Sequence, residues 1–238
     1  MHQIKVSNFA IDVVRKDIKN LHLAVYPPNG RIRIAAPLHI DDEAVRLFAI
    51  SKLSWIKKHQ ANFNAQERQT ERECISGESH YYNGKRYLLN VIYHKGVPKV
   101  ELRRKTYIDL YVREGSSKEQ KGKVLKEWYR ARLKERIPAL VDKWQKTIGV
   151  EISDWGVKLM KTKWGTCNIE AKRIWLNLEL AKKPIHCLEY IIVHEMLHLL
   201  ERHHNETFVA YMDKFVPNWK FFKDELNKYP LSHIEKSY

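Results

Sequence analysis

The amino-terminal quarter of the chain contains short segments in which apolar and polar residues alternate. Residues 11–16, 21–26 and 31–36 follow the period of two that favours β-strands, and a Pro-Pro-Asn-Gly turn separates the last two. We therefore predict a β-meander. Three acidic residues at 41–43 then stand in the favourable first turn of a helix, whose apolar stripe runs through residues 44–59.

The middle of the chain combines further strands with one long helix. Residues 62–76 are polar and aperiodic, which indicates a linker or exposed loop. Three apolar segments then predict strands at 85–94, 99–104 and 107–112. Residues 118–147 have apolar positions at helical spacing, and Pro138 is a point at which this helix is expected to kink or split.

The remaining part of the chain predicts a hairpin that is followed by helices. We expect strands at 157–163 and 173–180, with a turn at 164–168 between them. A helix that Pro184 starts continues through an overwhelmingly apolar segment, and later helices begin near Asn205 and at Pro217.

This order of elements, strands first and then helix, hairpin and helices, predicts an α+β fold. The sequence shows no internal repeat. We place a boundary after Gly115, which gives an amino-terminal β-rich region with one helix, 1–115, and a second domain, 116–238.

Composition and charge narrow the class of protein. The hydrophobic share of 44% is ordinary for a folded domain, and no apolar run approaches the roughly 20 residues of a membrane span. The first residues lack the pattern of a secretory signal, so we expect a cytoplasmic protein without membrane association. The formal net charge of +15 attracts polyanions, which makes nucleotides and nucleic acid candidate partners.

The segment that carries the chemistry is His194-Glu195-Met196-Leu197-His198. Two residues four apart on a helix differ by only about 40° in direction, so both imidazoles face one point. Zinc accepts such donors and leaves a position for water in catalytic sites. Glu195 can take the proton of that water. Burying ionisable groups in so apolar a helix costs free energy unless they bind a partner. Binding of one zinc ion per chain would provide that partner.

A catalytic zinc needs a third protein ligand. His204 would lie on the wrong face of a continuous helix, so it reaches the metal only if the helix ends first. The polar run at 201–205 breaks the apolar pattern, and Asn205 can cap a new helix. We therefore favour His204, with three alternatives left open, namely His203, Glu206 and Glu225.

Residues 161–168 are a second candidate functional segment, and they precede the helix that carries His194 and His198. Trp164 offers an apolar or stacking surface, and an edge strand at this position could pair with an extended peptide. Lys161 and Lys163 could hold an anionic substrate. The alternative is that Trp164 anchors the core and that both lysines are solvated. We include His203 among the candidate substrate-binding residues.

Taken together, these motifs resemble the YgjP-like family of metal-dependent hydrolases. The resemblance is carried by MKTKWGTCN (160–168), IWLN (174–177) and EYIIVHEMLHLLERHHNETF (189–208), and it extends over nearly the whole chain. It implies a zincin-like metallopeptidase core, made of a β-hairpin and the HExxH helix and related to the SprT-like and WLM proteases. It also implies that His194, His198 and His204 bind the metal and that Glu195 is the base. The signature includes Cys167, whose role the resemblance does not define.

Three functions are compatible with this sequence. The first is a zinc metallopeptidase in which Glu195 activates the attacking water. The second is a metal-dependent nucleoside triphosphate hydrolase of the UTP type, which the basic charge favours. The third is a nucleic-acid-associated module with structural zinc, although such sites usually have four protein ligands.

Overall fold

The computed structural model describes residues 2–26, 30–65, 72–160 and 163–227. The chain divides into two compact units, one on each side of the segment 66–71. The predicted boundary after Gly115 is therefore wrong. The strands between 79 and 112 share one hydrophobic core with the long helix that follows them, so they belong to the second unit.

The first unit consists of four strands and two helices. They are β1 (His2–Val6), β2 (Phe9–Lys16), β3 (His22–Tyr26), β4 (Arg31–Pro37), α1 (Asp42–Ser51) and α2 (Leu53–Ala65). The strand order is β1-β2-β4-β3, with β2 and β4 parallel, so the predicted meander is wrong. Strand β4, which has the most buried residues of the four, takes a central position and buries Ile32 and Ile34, whereas β3 lies at the edge.

The helical segment of this unit is interrupted at Lys52, where one continuous helix was predicted. Asp41 caps α1 and accepts a hydrogen bond from the Ala44 amide at 2.7 Å. The second helix, α2, extends to Ala65, into the segment predicted as a linker. Residues 66–71 of that segment lie outside the described residues.

The second unit begins with a sheet that repeats the topology of the first. Its strands are β5 (Ser79–Tyr82), β6 (Lys85–Tyr93), β7 (Lys99–Arg103) and β8 (Tyr107–Val112). The order β5-β6-β8-β7, with β6 and β8 parallel, matches that of the first sheet. Each sheet also buries an aspartate that pairs with an arginine, Asp12 with Arg31 and Asp109 with Arg103. The structure thus contains a topological repeat that the sequence does not show.

A 31-residue helix, α3 (Lys118–Ile148), covers this sheet. Ser117 caps it in a capping box with Gln120, as its sequence favours. Its buried residues, spaced by three or four, form a single stripe: Leu125, Tyr129, Leu133, Ile137, Val141 and Trp144. The helix runs through Pro138 without a break, and this proline is exposed, so water can reach the carbonyl that it leaves unpaired.

A small three-stranded sheet follows, with β9 (Asp154–Lys158), β10 (Gly165–Asn168) and β11 (Arg173–Asn177). Its order is β10-β11-β9, so β10 is an edge strand. The segment predicted as a turn is therefore largely a strand, and the chain reverses between residues 168 and 173 instead. The predicted strand at 173–180 ends at Asn177, which caps a 3₁₀ turn over Leu178–Lys182.

Three helices complete the second unit: α4 (Ile185–Leu197), α5 (Glu206–Phe215) and α6 (Trp219–Asn227). Most of α4 is buried, including Ile192, Val193 and Met196. This makes α4 the central element of the core and explains why its sequence is apolar on nearly every side. None of the described helices combines the length and the apolar character that crossing a bilayer requires.

Candidate metal centre

Three histidines converge at the end of α4. His194 is in the last turn of this helix, His198 is its C-cap, and His204 returns from the following loop. Nε2 of His204 lies 3.0 Å from Nε2 of His194, and the ring centroids of His198 and His204 are 4.8 Å apart. A donor atom from each of the three lies within 4.8 Å of the others. This spacing is that of ligands around one small cation.

The chain returns His204 to this point because α4 ends early. The amide of Glu201 donates to the carbonyl of Leu197 at 2.9 Å and closes the last turn. Asn205 then caps α5 by accepting from the amide of Phe208 at 3.0 Å. Both features follow the sequence-based expectation that the helix ends before His204 and that a new one starts at Asn205.

The structure does not bring the alternative third ligands into this group. His203 is exposed, and its amide donates to the carboxylate of Glu201 at 3.0 Å. Glu206 is exposed in the first turn of α5. Glu225 lies instead with His186, whose Nε2 is 2.6 Å from its carboxylate.

Phe208 packs against all three histidines. Its ring centroid is 5.0 Å from that of His194, 4.9 Å from that of His198 and 4.7 Å from that of His204. Phe208 is buried, and its contacts restrict the positions that the three imidazole rings can take. Nδ1 of His198 also lies 3.2 Å from the carbonyl of Glu201, which leaves Nε2 free for a metal. Sequence reasoning missed Phe208 as a site residue, although it stands only four residues after His204.

Glu195 is buried beside the three histidines with 5% of its surface exposed. Burial raises the pKa of its carboxyl to about 8, against the opposing charge of Lys163. Burial also lowers the pKa of His194 to about 3 and so keeps its imidazole neutral, which is the form that donates to a metal. The site thus combines a neutral imidazole at His194 with a carboxyl group of raised pKa at Glu195.

Strand β10 forms the wall opposite Glu195. Gly165 is so close that a β-carbon there would lie 2.5 Å from Oε1 of Glu195. Cys167, two residues along, is on the same face of the strand, and burial together with Glu195 raises the pKa of its thiol to about 11. Cys167 is therefore a neutral thiol beside the glutamate.

Asn177 holds the loop that leads into β10. Its Nδ2 donates to the carbonyls of Met160 at 2.9 Å and of Lys163 at 2.7 Å, and its backbone amide donates to the carbonyl of Trp164 at 2.9 Å. The side chain is fully buried. Asn177 thereby fixes the strand against which Glu195 packs.

Comparison with known proteins agrees with this arrangement. A model of the YgjP-like family, described as a metallopeptidase domain, matches residues 19–229. The chain belongs to the YgjP-like family. A metallopeptidase family implies a metal ion, and the three converging imidazoles are a donor set that fits one.

Other comparisons give little further information about this YgjP-like protein. A crystal structure of the metallopeptidase zymogen of Pyrococcus abyssi abylysin matches with 16% identity and a TM-score of 0.37. It covers 40% of this chain and 99% of its own. No curated protein matches the sequence significantly.

The candidate substrate-binding residues differ in their position and in their exposure to solvent. Lys161 lies outside the described residues. Lys163 is exposed and close enough to Glu195 to act on the pKa of its carboxyl. Trp164 is half-buried and packs against the core, with Nζ of Lys183 5.7 Å from its ring centroid.

A second group of possible ligands joins α4 to α6. Sγ of Cys187 lies 3.6 Å from the same Glu225 oxygen that His186 approaches. The hydrogen bond between His186 and Glu225 pairs these two side chains, and the positive charge of Lys183 acts on Glu225 and Cys187. We interpret the group as a link between the two helices.

Proposed function

We propose that this YgjP-like protein is a zinc-dependent metallopeptidase. His194, His198 and His204 hold one zinc ion, and Glu195 is the general base. The observation that carries this proposal is the convergence of three imidazoles beside a buried glutamate, on a chain whose family is described as a metallopeptidase.

The role of Glu195 follows from its environment. When bound, zinc acts as a Lewis acid and makes a bound water acidic enough to lose a proton near neutral pH. The Glu195 carboxylate would accept that proton during attack on the scissile carbonyl and deliver it to the leaving amine. Because Glu195 is buried against β10, its carboxylate is held in one place throughout both transfers.

The free edge of β10 supports a peptide as substrate. This strand pairs with β11 on one side and with no described strand on the other. An extended peptide can therefore add to the sheet through main-chain hydrogen bonds. Because β10 also touches Glu195 through Gly165, a peptide on this edge would lie next to the base.

A second candidate function is hydrolysis of a nucleoside triphosphate such as UTP. The observation that favours it is the positive charge near the metal centre, from Lys163 beside Glu195 and from Lys223, whose charge acts on His194 and His204. A structural zinc in a nucleic-acid-associated module is less well supported, because no fourth donor joins the three histidines among the described residues.

The test is a direct comparison of substrates. Zinc-loaded protein is incubated with a library of unstructured peptides and with nucleoside triphosphates, and cleavage and phosphate release are followed by mass spectrometry and phosphate assay. We expect peptide cleavage that chelation abolishes and zinc restores. Release of phosphate or pyrophosphate without any peptide cleavage would replace the proposal by the second candidate.

A further inference from the structure

Three possible metal ligands meet where α6 packs on α4. His186 and Cys187 are consecutive residues in the first turn of α4, and Glu225 is in the last turn of α6. One donor atom from each lies within 4.8 Å of the others. His186 precedes His194 by eight residues, or about 12 Å of helix, so this group is separate from the proposed catalytic centre. We infer that His186, Cys187 and Glu225 form a second, weaker zinc site.

The donor atoms of this group are already in contact. Nε2 of His186 lies 2.6 Å from a carboxylate oxygen of Glu225, and Sγ of Cys187 lies 3.6 Å from the same oxygen. At the three-histidine centre, the Nε2 atoms of His194 and His204 are 3.0 Å apart, so the two groups are similarly compact. Tetrahedral zinc ligands are roughly 3.3–3.8 Å apart, so the Glu225 oxygen and Nε2 of His186 need to separate by only about 1 Å.

The chemistry of the three donors favours zinc. Zinc in proteins takes thiolate sulfur, imidazole nitrogen and carboxylate oxygen, whereas calcium and magnesium prefer oxygen alone. The thiolate of Cys187 and the carboxylate of Glu225 together carry two negative charges, which balance one divalent cation. The side chain of His186 is 38% exposed and lines a cavity of about 220 Å³, so an ion from solvent can reach the group.

Two features make this site weaker than the three-histidine centre. Zinc can bind only after the hydrogen bond between His186 and Glu225 has been broken. Burial also raises the pKa of the Cys187 thiol to about 12, so zinc must displace its proton. The first zinc ion per chain therefore goes to the three histidines, and the second site fills only when free zinc is in excess.

Lys183 is the positively charged neighbour of this group. Its charge opposes a second cation, but it also favours the thiolate form of Cys187. Burial lowers the pKa of Lys183 to about 8, so its ammonium group can lose a proton near neutral pH when zinc binds nearby. Lys183 therefore does not prevent binding.

Zinc at this position would link the first turn of α4 to the last turn of α6. Without zinc, the hydrogen bonds of Glu225 and the contact between the rings of His186 and Phe222, whose centroids are 4.8 Å apart, make this link. The unfolded chain does not hold the three donors together, so zinc binds the folded chain and stabilises it. The stability of the second unit therefore depends on the concentration of free zinc.

Cobalt(II) is the probe for this site, because a thiolate ligand gives a near-ultraviolet charge-transfer absorption that imidazole and carboxylate ligands do not give. Protein with one zinc ion per chain is titrated with cobalt, and its zinc content is measured afterwards to exclude exchange at the three histidines. Cys187→Ser removes the thiolate but keeps a donor to Glu225, and Glu225→Gln removes the carboxylate charge. Cys74→Ser and Cys167→Ser, which remove the other two thiols, are the controls.

We expect one cobalt ion per chain with thiolate absorption in wild type and in both controls, and no such absorption in Cys187→Ser. Glu225→Gln should bind cobalt at least about ten-fold more weakly. Excess zinc should displace the cobalt, since zinc binds such donors more tightly. At free zinc about 100-fold above the Kd of the second site, the midpoint of thermal unfolding should rise by about 5–10 °C in wild type but not in Cys187→Ser.

Absence of the thiolate absorption in wild type at a large excess of cobalt would overturn the inference and leave this group as a hydrogen-bonded link. Persistence of the absorption in Cys187→Ser, or an unchanged cobalt affinity in Glu225→Gln, would also contradict the proposed ligands. Loss of the absorption in Cys167→Ser would place the second ion near Glu195 instead. None of these outcomes bears on the peptidase proposal, which depends on the three histidines.

Discussion

A β-carbon on Gly165 would lie 2.5 Å from Oε1 of Glu195 and 2.7 Å from its Cγ. The edge strand β10 therefore approaches the proposed base on α4 so closely that any larger residue at position 165 would displace the Glu195 side chain. Gly165 is not at a positive φ, so the constraint comes from space and not from backbone conformation. The position of the Glu195 carboxylate is thus set by a residue 30 positions earlier in the chain.

This contact predicts a catalytic defect in Gly165→Ala. The added methyl group must displace the Glu195 carboxylate by a large part of an ångström, and such a shift costs about 100-fold in kcat/KM. Zinc content should remain at the wild-type value because the three histidines are untouched. Gly122→Ala is the matched control, since a methyl group there meets nothing within 4 Å. Equal activities of the two variants would refute the proposed role of this contact.

Removal of the Asn177 side chain should both destabilise the protein and weaken catalysis. Asn177→Ala removes a fully buried side chain and leaves the carbonyls of Met160 and Lys163 without their donor, which costs about 2–4 kcal/mol of unfolding free energy. Activity per folded molecule should fall as well, because the loop before β10 loses its anchor. Urea unfolding and zinc-dependent hydrolysis measure the two effects. Asn168→Ala, at an exposed position, should change unfolding by less than about 1 kcal/mol.

The third ligand can be tested by comparing two adjacent histidines. His204→Ala should weaken zinc binding by more than about 100-fold, which exceeds the usual effect of removing an outer-shell partner. His203→Ala should bind zinc like the wild type, because its exposed ring does not join the cluster. Competition with a chromogenic chelator gives both affinities. Full zinc retention in His204→Ala would exclude it as a ligand.

The local elements of the fold were predictable where the sequence carries local signals. Asn205 caps α5 as the sequence predicts, because capping depends on a few neighbouring residues. The pairing of strands was not predictable in this way. Alternation marks a strand, but the choice of neighbour depends on which strand buries most apolar surface, and this placed β4 between β2 and β3.

In the site, too, the features that depend on local sequence were predictable, whereas those that depend on packing were not. The spacing of His194 and His198 on one helix brings them together in any fold that contains that helix. The strand at 165–168 was mistaken for a turn, because Trp-Gly-Thr-Cys-Asn carries turn residues and becomes a strand only through pairing with β11. Phe208 reaches the site through the packing of α5, which no local pattern reports.

Buried His80 predicts a loss of stability as pH falls. It is 3% exposed, and burial, together with Arg72 and Lys182, lowers its pKa to about 3 from the ordinary 6.5. As the pH drops below 6.5, the His80 imidazole therefore binds a proton in the unfolded chain but stays neutral in the folded chain. This contribution to unfolding free energy should fall by about 2 kcal/mol between pH 7 and pH 5.

His80→Phe removes this titration, so urea unfolding at the two pH values should differ less in the variant than in wild type by that amount. Taking the difference between the two proteins cancels the titration of the metal-site histidines. An identical pH dependence in both proteins would show that His80 keeps an ordinary pKa in the fold.

The most direct test of the central claim is the rate of peptide hydrolysis by Glu195→Gln, measured together with its zinc content. The amide has nearly the shape of the carboxylate but cannot accept the proton of the attacking water. We expect one zinc ion per chain in both proteins and a rate that is lower by about 10²–10⁴-fold in the variant. A zinc-loaded Glu195→Gln protein that hydrolyses peptides at the wild-type rate would contradict the assignment of Glu195 as the general base.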